Sequence, residues 1–310
     1  MIGEMFDPRK EFGKAVTEEA KNNPNIVVFS ADSGKSSGFG DFLKEYPERY
    51  FECGIMEQGA VGMAAGMATA GMIPVFCAIA PFVTARPYEM ARNDMGYMRQ
   101  NVKLAGRNCG ITYSDLGATH QSLDDFAIMR MIPGMTVLAP QDPGEIRQAV
   151  KAMLKHDGPV YMRIGNPKIP MLFEEKPFEI GKGQVLRDGT DVTIVATGSA
   201  TRDAIEAAEI LEKESVSVQL IGMPTVCPLD TELLMQAAEK TGKIVTVEEH
   251  YVEGGLGSMV AEALSEVPNV VVRRLGMPKA YAITSGNYRE LVSYYKLDGA
   301  GIAASVKDFI

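Results

Sequence analysis

Apolar positions fall along this chain in two alternating patterns: short unbroken runs bounded by Gly, Pro or Asn, and longer stretches with helical spacing. The first pattern predicts buried strands and the second amphipathic helices. A helix over 9–21 leads through Asn22-Asn23-Pro24 to a strand over 26–30, and a short strand at 50–52 precedes a small-residue helix over 58–70. Strands follow at 74–78, 102–105 and 111–112. A helix over 123–131 stops at Pro133-Gly134, a strand covers 136–139, and Asp142-Pro143-Gly144-Glu145 opens a helix to 155, with Pro at its first turn. A strand over 160–164 closes this first set. After a stretch over 165–178 that is rich in Pro and Lys, a second set begins. It comprises strands at 192–196, 216–221, 244–247 and 270–273, with helices at 201–213, 230–240 (capped by Gly242) and from the Gly254-Gly255-Leu256-Gly257-Ser258 turn to 264. Strands alternating with helices imply two parallel or mixed sheets covered by helices, an α/β chain.

Composition narrows the picture. The chain has 310 residues, room for two ordinary domains, and a formal charge of −9 that argues against nucleic acid and anionic membranes as partners. Residues 58–85 carry no charge at all, long enough to raise a membrane span. Gly71-Met72-Ile73-Pro74 cuts that run into pieces too short to cross a bilayer, and Gly59, Gly62, Ala65, Gly66 and Ala70 suit a helix packed closely against another helix or subunit. Cys53, Cys77, Cys109 and Cys227 form no Cys-x-x-Cys pair and no signal peptide is evident, so a reduced cytoplasmic protein is expected.

Candidate chemistry starts at Glu57, a lone carboxylate at the entrance to the uncharged run. Buried acids of this kind often do proton chemistry, although a glutamate in a helix's first turn is also favoured by the macrodipole alone. Of three histidines, His120 lies in a polar Gly-containing loop where positioned catalytic groups commonly sit; His156 reads as a solvated helix end and His250 as either structural or functional. No histidine pair, Cys cluster or calcium loop offers a self-contained metal site. The Gly254–Gly257 turn resembles a phosphate-binding turn, but close helix packing explains it as well.

Together the Glu57 and His120 blocks are specific. Gly54-Ile55-Met56-Glu57-Gln58-Gly59-Ala60, Tyr88-Glu89-Met90-Ala91-Arg92-Asn93, Asp115-Leu116-Gly117-Ala118-Thr119-His120-Gln121 and Ile132-Pro133-Gly134-Met135 resemble the C-terminal half of transketolases, as do Ala196-Thr197-Gly198-Ser199 and Glu248-Glu249-His250. The His120 block with Asp124 and Arg130 is also similar to deoxyxylulose-phosphate synthases of the same superfamily. The resemblance implies two Rossmann-like three-layer domains: a parallel-sheet domain that binds the pyrimidine of thiamine diphosphate (1–166), a linker (167–184), and a smaller mixed-sheet C-terminal domain (185–310). The superfamily holds the diphosphate through a divalent metal, Mg or Ca, with a Gly-Asp-Gly motif that this sequence lacks. The chain therefore resembles one half of a split enzyme, inactive alone, self-paired within a heterotetramer with an N-terminal transketolase subunit.

The resemblance also assigns roles. Glu57 would hydrogen-bond a pyrimidine nitrogen and favour the tautomer that lets the cofactor remove its own thiazolium proton; for that it must carry or share a proton, which dry, apolar surroundings favour. Phe82 would stack on the pyrimidine, with Asp32, Arg86 and Tyr88 as further cofactor-binding residues. His120 would contact the donor hydroxyl next to the carbonyl. Arg9, Ser36 and, more weakly, Arg163 match positions that bind sugar phosphate, a task suited to arginine. Leu116 stands where the family commonly has an Asp that reads substrate stereochemistry, with Asp115 one place earlier, and a further family histidine falls near Asn108 or Cys109. The activity implied is transfer of a two-carbon ketol unit between sugars, in carbohydrate metabolism of the pentose-phosphate kind. A 2-oxoacid dehydrogenase beta subunit, a deoxyxylulose-phosphate-synthase-like enzyme and a catalytically silent regulatory relative are the rivals.

Overall fold

The computed structural model describes residues 2–310. Two sheets organise the chain. The first has seven strands in the order Thr225–Cys227, Thr136–Leu138, Val160–Arg163, Lys103–Arg107, Ile73–Ile79, Ile26–Ser30 and Tyr50–Glu52. All pair in parallel except the Thr225–Cys227 edge. The second has five strands in the order Val271–Met277, Lys243–Tyr251, Val192–Ala196, Val218–Gly222 and Gln184–Arg187, parallel but for the last. Every residue of Ile26–Ser30, Lys103–Arg107, Val192–Ala196 and Val218–Gly222 is buried. Helices cover both faces of these strands, which is why they read as near-continuous apolar runs and not as alternations.

Each sheet is the middle of three layers. On one face of the first, Val27, Phe29, Phe76 and Tyr161 pack against Ala60, Val61 and Ala64 of the helix Glu57–Thr69. On the other, Val28, Val75, Ala105 and Met162 meet Phe12 and Val16 of the helix Pro8–Ala20 and Ile146, Ala149 and Met153 of the helix Pro143–Lys155. In the second, Ala204, Ala207 and Leu211 of Ala200–Lys213, with Ile302 and Val306 of Gly299–Lys307, cover Ile194 and Leu220. Leu234 and Ala237 of Thr231–Thr241 and Val260 of Leu256–Ala263 cover Val195 and Ile221. The expected α/β class, with one largely parallel and one smaller mixed sheet, is the observed architecture.

Several local expectations are corrected. Residues 111–112 form no strand: they lie in a loop whose neck is a single bridge between Gly110 and Ser122, and Ile111 is buried among Leu123, Met277 and Leu291. The helix expected over 123–131 is shorter, Asp125–Arg130, and residues Ala91–Tyr97 form a π-helix. The low-periodicity stretch after 165 is fastened by polar contacts. Ile169–Pro170 pairs with Met5–Phe6, Asp142 Oδ2 accepts the amides of Leu172 and Phe173, and Arg147 bridges Glu11 and Glu175. Such ties leave no apolar period to read. Thr225–Cys227, from the second half of the sequence, completes the first sheet by pairing with Thr136–Leu138.

Candidate active site

Parallel strands bring their carboxyl ends to one edge, where open α/β sheets commonly bind ligands. The register pairs Ser30 with Glu52, Ile79 with Arg107 and Gly106 with Arg163, so the loops after these strands share that edge. Asp32 and Ser36 follow Ser30, Glu57 follows Glu52, Phe82 follows Ile79, and the His120 loop follows Arg107.

Glu57 is the first residue of its helix and is 3 % exposed. Its side-chain partner is Arg86, whose Nη1 donates to Oε1 at 2.7 Å. The Arg86 guanidinium also lies over the Phe82 ring, 3.8 Å from its centroid. The dry, apolar surroundings expected for Glu57 are therefore only partly found: the first charged residue after the uncharged run folds back onto it. Phe82 in turn meets the edge of the His120 ring at 5.2 Å, and Tyr113 meets that ring at 5.4 Å. His120 Nδ1 is in hydrogen-bond contact with Thr119 Oγ1 at 2.8 Å. Glu57, Arg86, Phe82 and His120 thus form one continuous set of contacts, although they are spread over 64 positions of sequence. Tyr88, in the turn after Arg86, packs partly buried against the first core.

A second group lines a neighbouring cleft of about 650 Å³, with Arg9, Lys10, Asp32, Lys35 and Ser36 at its wall. Arg9 pairs with Asp7, which caps the helix Pro8–Ala20. Asp32 has φ 54° and its amide donates to Glu52 Oε1, which also accepts the amide of Gly54. Burial alone would raise the Glu52 carboxyl, but these amides and the Ser30 and Tyr50 hydroxyls hold it below the ordinary glutamate range. Glu52 thereby ties the Asp32 turn to the turn that launches Glu57, a role with no signature in sequence.

Sequence reasoning also missed Arg107. It is 4 % exposed and donates to Ser36 Oγ, Ser37 Oγ and Asn108 Oδ1, each at 3.0 Å, with no carboxylate partner among the described residues. Burial, then repulsion from Arg9, lowers its affinity for its own proton. A buried cation behind a cleft serine is suited to an anion; its signal was an arginine ending an apolar strand before a glycine loop. Asp115 and Leu116 are both exposed on the His120 loop.

Arg163 requires correction as a phosphate candidate. It is 5 % exposed, ion-paired with Asp125 at 2.9 Å, stacked over Phe126, and bonded through Nη2 to the carbonyls of Ser122 and Glu249. Arg163 is thus enclosed by Asp125, Phe126 and two carbonyls and is not at the wall of the cleft with Arg9. His250 is structural: it stacks on Phe126, accepts the Ala127 amide at Nε2 and donates from Nδ1 to the Tyr251 carbonyl. The Gly254–Gly257 turn is filled internally, because Glu248 accepts the amides of Leu256 and Gly257 at 2.7 Å. Burial pushes both the Glu248 and Glu249 carboxyls up.

Comparison with known proteins accords with this geometry. Residues 4–170 match the family described as transketolase, pyrimidine binding domain, and residues 181–302 match the transketolase C-terminal domain. The chain is 40% identical to one of the apulose-4-phosphate transketolase subunits of Phocaeicola vulgatus, over 100% of this chain and 99% of that one. It is 38% identical to a 6-deoxy-6-sulfo-D-fructose transketolase subunit of Clostridium sp., over 87% of this chain and 84% of the relative. A solved split gene transketolase, described as an inactive beta4 tetramer, superposes with a TM-score of 0.89 at 40% identity, covering 98% of each chain. Edge geometry, the linked Glu57 and His120, and similarity along the whole length agree: the chain belongs to the transketolase family, as the subunit of a split transketolase that carries the pyrimidine-binding and C-terminal domains.

Proposed function

We propose that this chain, joined to a subunit that holds the diphosphate and its divalent metal, transfers a two-carbon ketol unit from a ketose to an aldose, with thiamine diphosphate bound at Glu57. The observation that carries this reading is the position of the Arg86 guanidinium. It is flat, stacked on Phe82, and offers an N–H edge to Glu57 Oε1. An aminopyrimidine has the same flat face and hydrogen-bonding edge, so Arg86 marks a slot that fits the cofactor's pyrimidine once the side chain, 37% exposed, moves aside.

When bound, thiamine diphosphate supplies the nucleophilic carbon and the electron sink for breaking the ketose carbon–carbon bond. Glu57 would hold the proton exchanged with the pyrimidine edge and Phe82 would fix the ring plane, with Asp32, on the neighbouring cleft, and Tyr88, on the first core, as further cofactor contacts. His120, edge-on to Phe82, hydrogen-bonds the donor hydroxyl beside the carbonyl and moves its proton during cleavage. Arg9, Lys10, Lys35 and Ser36, with Arg107 behind Ser36, receive the anionic end of the sugar. Exposed Asp115 reads the sugar's hydroxyls, taking the place of the family Asp replaced by Leu116. The apulose phosphate and sulfofructose in the names of its relatives make an anionic ketose the first donor to try. The metal is Mg or Ca, and the working assembly is a cytoplasmic heterotetramer in which this chain also pairs with itself.

Glu57→Ala in the assembled complex is expected to abolish exchange of the cofactor's thiazolium proton while leaving assembly intact. Exchange at the wild-type rate would remove Glu57 from this role, and with it the reading.

A further inference from the structure

The loop that carries His120 is held from outside its own domain. Its neck is the bridge between Gly110 and Ser122, which exchange amide-to-carbonyl hydrogen bonds of 2.9 and 3.0 Å. Glu249, on the strand Lys243–Tyr251 of the second sheet, reaches this neck: its Oε1 accepts the Ile111 amide at 2.6 Å. Its Oε2 accepts the Ser199 hydroxyl at 2.9 Å and the Tyr288 hydroxyl at 2.6 Å. Arg163 ties the other side of the neck by joining the carbonyls of Ser122 and Glu249. Further out, the Ser285 amide donates to the Ser114 carbonyl at 2.9 Å, and the Thr284 methyl packs against Gly117. Gly110 has φ 59°, and a Cβ there would lie 2.2 Å from Glu249 Oε1, so the carboxylate fills the space beside the neck.

We propose that Glu249 is a positioning residue for His120, acting through the Ile111 amide to fix the loop at the distance and angle that donor cleavage needs. The proposal rests on the transketolase reading. It gives the C-terminal domain, which supplies no group to the slot around Glu57, a part in the reaction. Three donors converge on one buried carboxylate, Ile111 N, Ser199 Oγ and Tyr288 Oη, two of them from the same domain as Glu249. Ser199 and Tyr288 thus hold the carboxylate by bonds that do not involve the loop. A loop fixed at its neck transmits that position to His120, nine residues from Ile111 and two from Ser122. Small misplacement of a proton-transfer group is costly, on the order of 10²-fold for about 1 Å.

The test is a double-mutant cycle between Glu249→Ala and His120→Ala. It uses the complex with the partner subunit, thiamine diphosphate and Mg²⁺, with apulose 4-phosphate, 6-deoxy-6-sulfofructose and fructose 6-phosphate as donors. Glu249→Ala is expected to lower kcat for donor cleavage by about 10- to 100-fold. It should leave thiazolium proton exchange unchanged and speed hydrogen exchange over 110–122. In the His120→Ala background it should cost nothing further, because a residue that acts through another is non-additive with it. Glu249→Gln keeps an acceptor for Ile111 and should restore cleavage. If Glu249→Ala is not recovered folded, Ser199→Ala with Tyr288→Phe removes two of the carboxylate's three donors and runs the same cycle. An undiminished cost in the His120→Ala background, or a parallel loss of proton exchange, would overturn the positioning role. A wild-type complex that cleaves none of the donors sinks the transketolase reading itself, and the positioning role falls with it.

Discussion

Arg86 holds Glu57 at 2.7 Å and covers one face of Phe82 in the same pose. On the proposed function the cofactor's pyrimidine and this guanidinium would compete for one slot, and binding would break a partly exposed ion pair and a cation–π contact, each worth on the order of 1 kcal/mol. Arg86→Met is expected to tighten thiamine diphosphate binding by about fivefold, the equivalent of about 1 kcal/mol, measured as Kd in the assembled complex. Weaker binding would mean that Arg86 contacts the cofactor directly and does not yield to it. At this scale the sequence was readable where a residue type is rare in its surroundings. Glu57 ahead of 28 uncharged positions and His120 in its Gly loop were visible. The ion pair was not, because the uncharged run ends at Arg86 and only the turn through Ala80–Val83 brings that residue back. Arg163 misled for the opposite reason: an arginine at a strand's carboxyl end looks free until Asp125 and Phe126 are folded against it.

Among elements, the helix Pro143–Lys155 was legible from Asp142-Pro143-Gly144-Glu145, and Asp142 does accept the Glu145 amide at 2.7 Å. What the spacing hid is that Glu145 turns inward, where its oxygens take the amide and side chain of Gln141 and the side chain of Gln184. Burial, with Asp142 adding to it and the Gln141 bonds opposing, pushes this carboxyl up to about 7. An unfolded glutamate releases its proton near 4.5, so between pH 4.5 and 7 the folded state binds the extra proton and stability falls as pH rises. The slope approaches about 1.4 kcal/mol per pH unit for one full proton. Glu145→Gln removes this contribution, so the stability of wild type minus variant should fall between pH 5 and 7 in denaturant unfolding; a pH-independent difference would contradict the assignment. The His120 loop shows the other limit of pattern reading. Ile111-Thr112 is a β-branched pair that reads as a strand, yet the Ile111 amide donates to a carboxylate from the second sheet. Pairing between distant elements leaves no period.

For the whole molecule, the repeated strand–helix alternation was enough to reach two α/β layers, and the uninterrupted strands showed that both faces would be covered. The sharing between the layers was not visible. Thr225–Cys227 joins the first sheet, and Glu249 and Ser285 hold the His120 loop. The Gly- and Ala-rich helix Gly299–Lys307 escaped notice because small residues give a weak pattern, although Ile302 and Val306 bury fully. Among the described residues no helix is long and apolar enough to cross a membrane. The small-residue helix leaves open space beside Gly66 and exposes Met63, with Ile55 and Met56 just before it also exposed, a surface suited to a second chain. On the proposed function, the subunit that carries a Gly-Asp-Gly motif, which this sequence lacks, would hold the diphosphate end of the cofactor. The most direct test is two-carbon transfer by the purified chain with thiamine diphosphate, Mg²⁺ and the three donors, assayed alone and after adding the subunit that carries Gly-Asp-Gly. The account predicts no turnover alone and ketose-dependent transfer in the mixture; turnover by this chain unaided would contradict it.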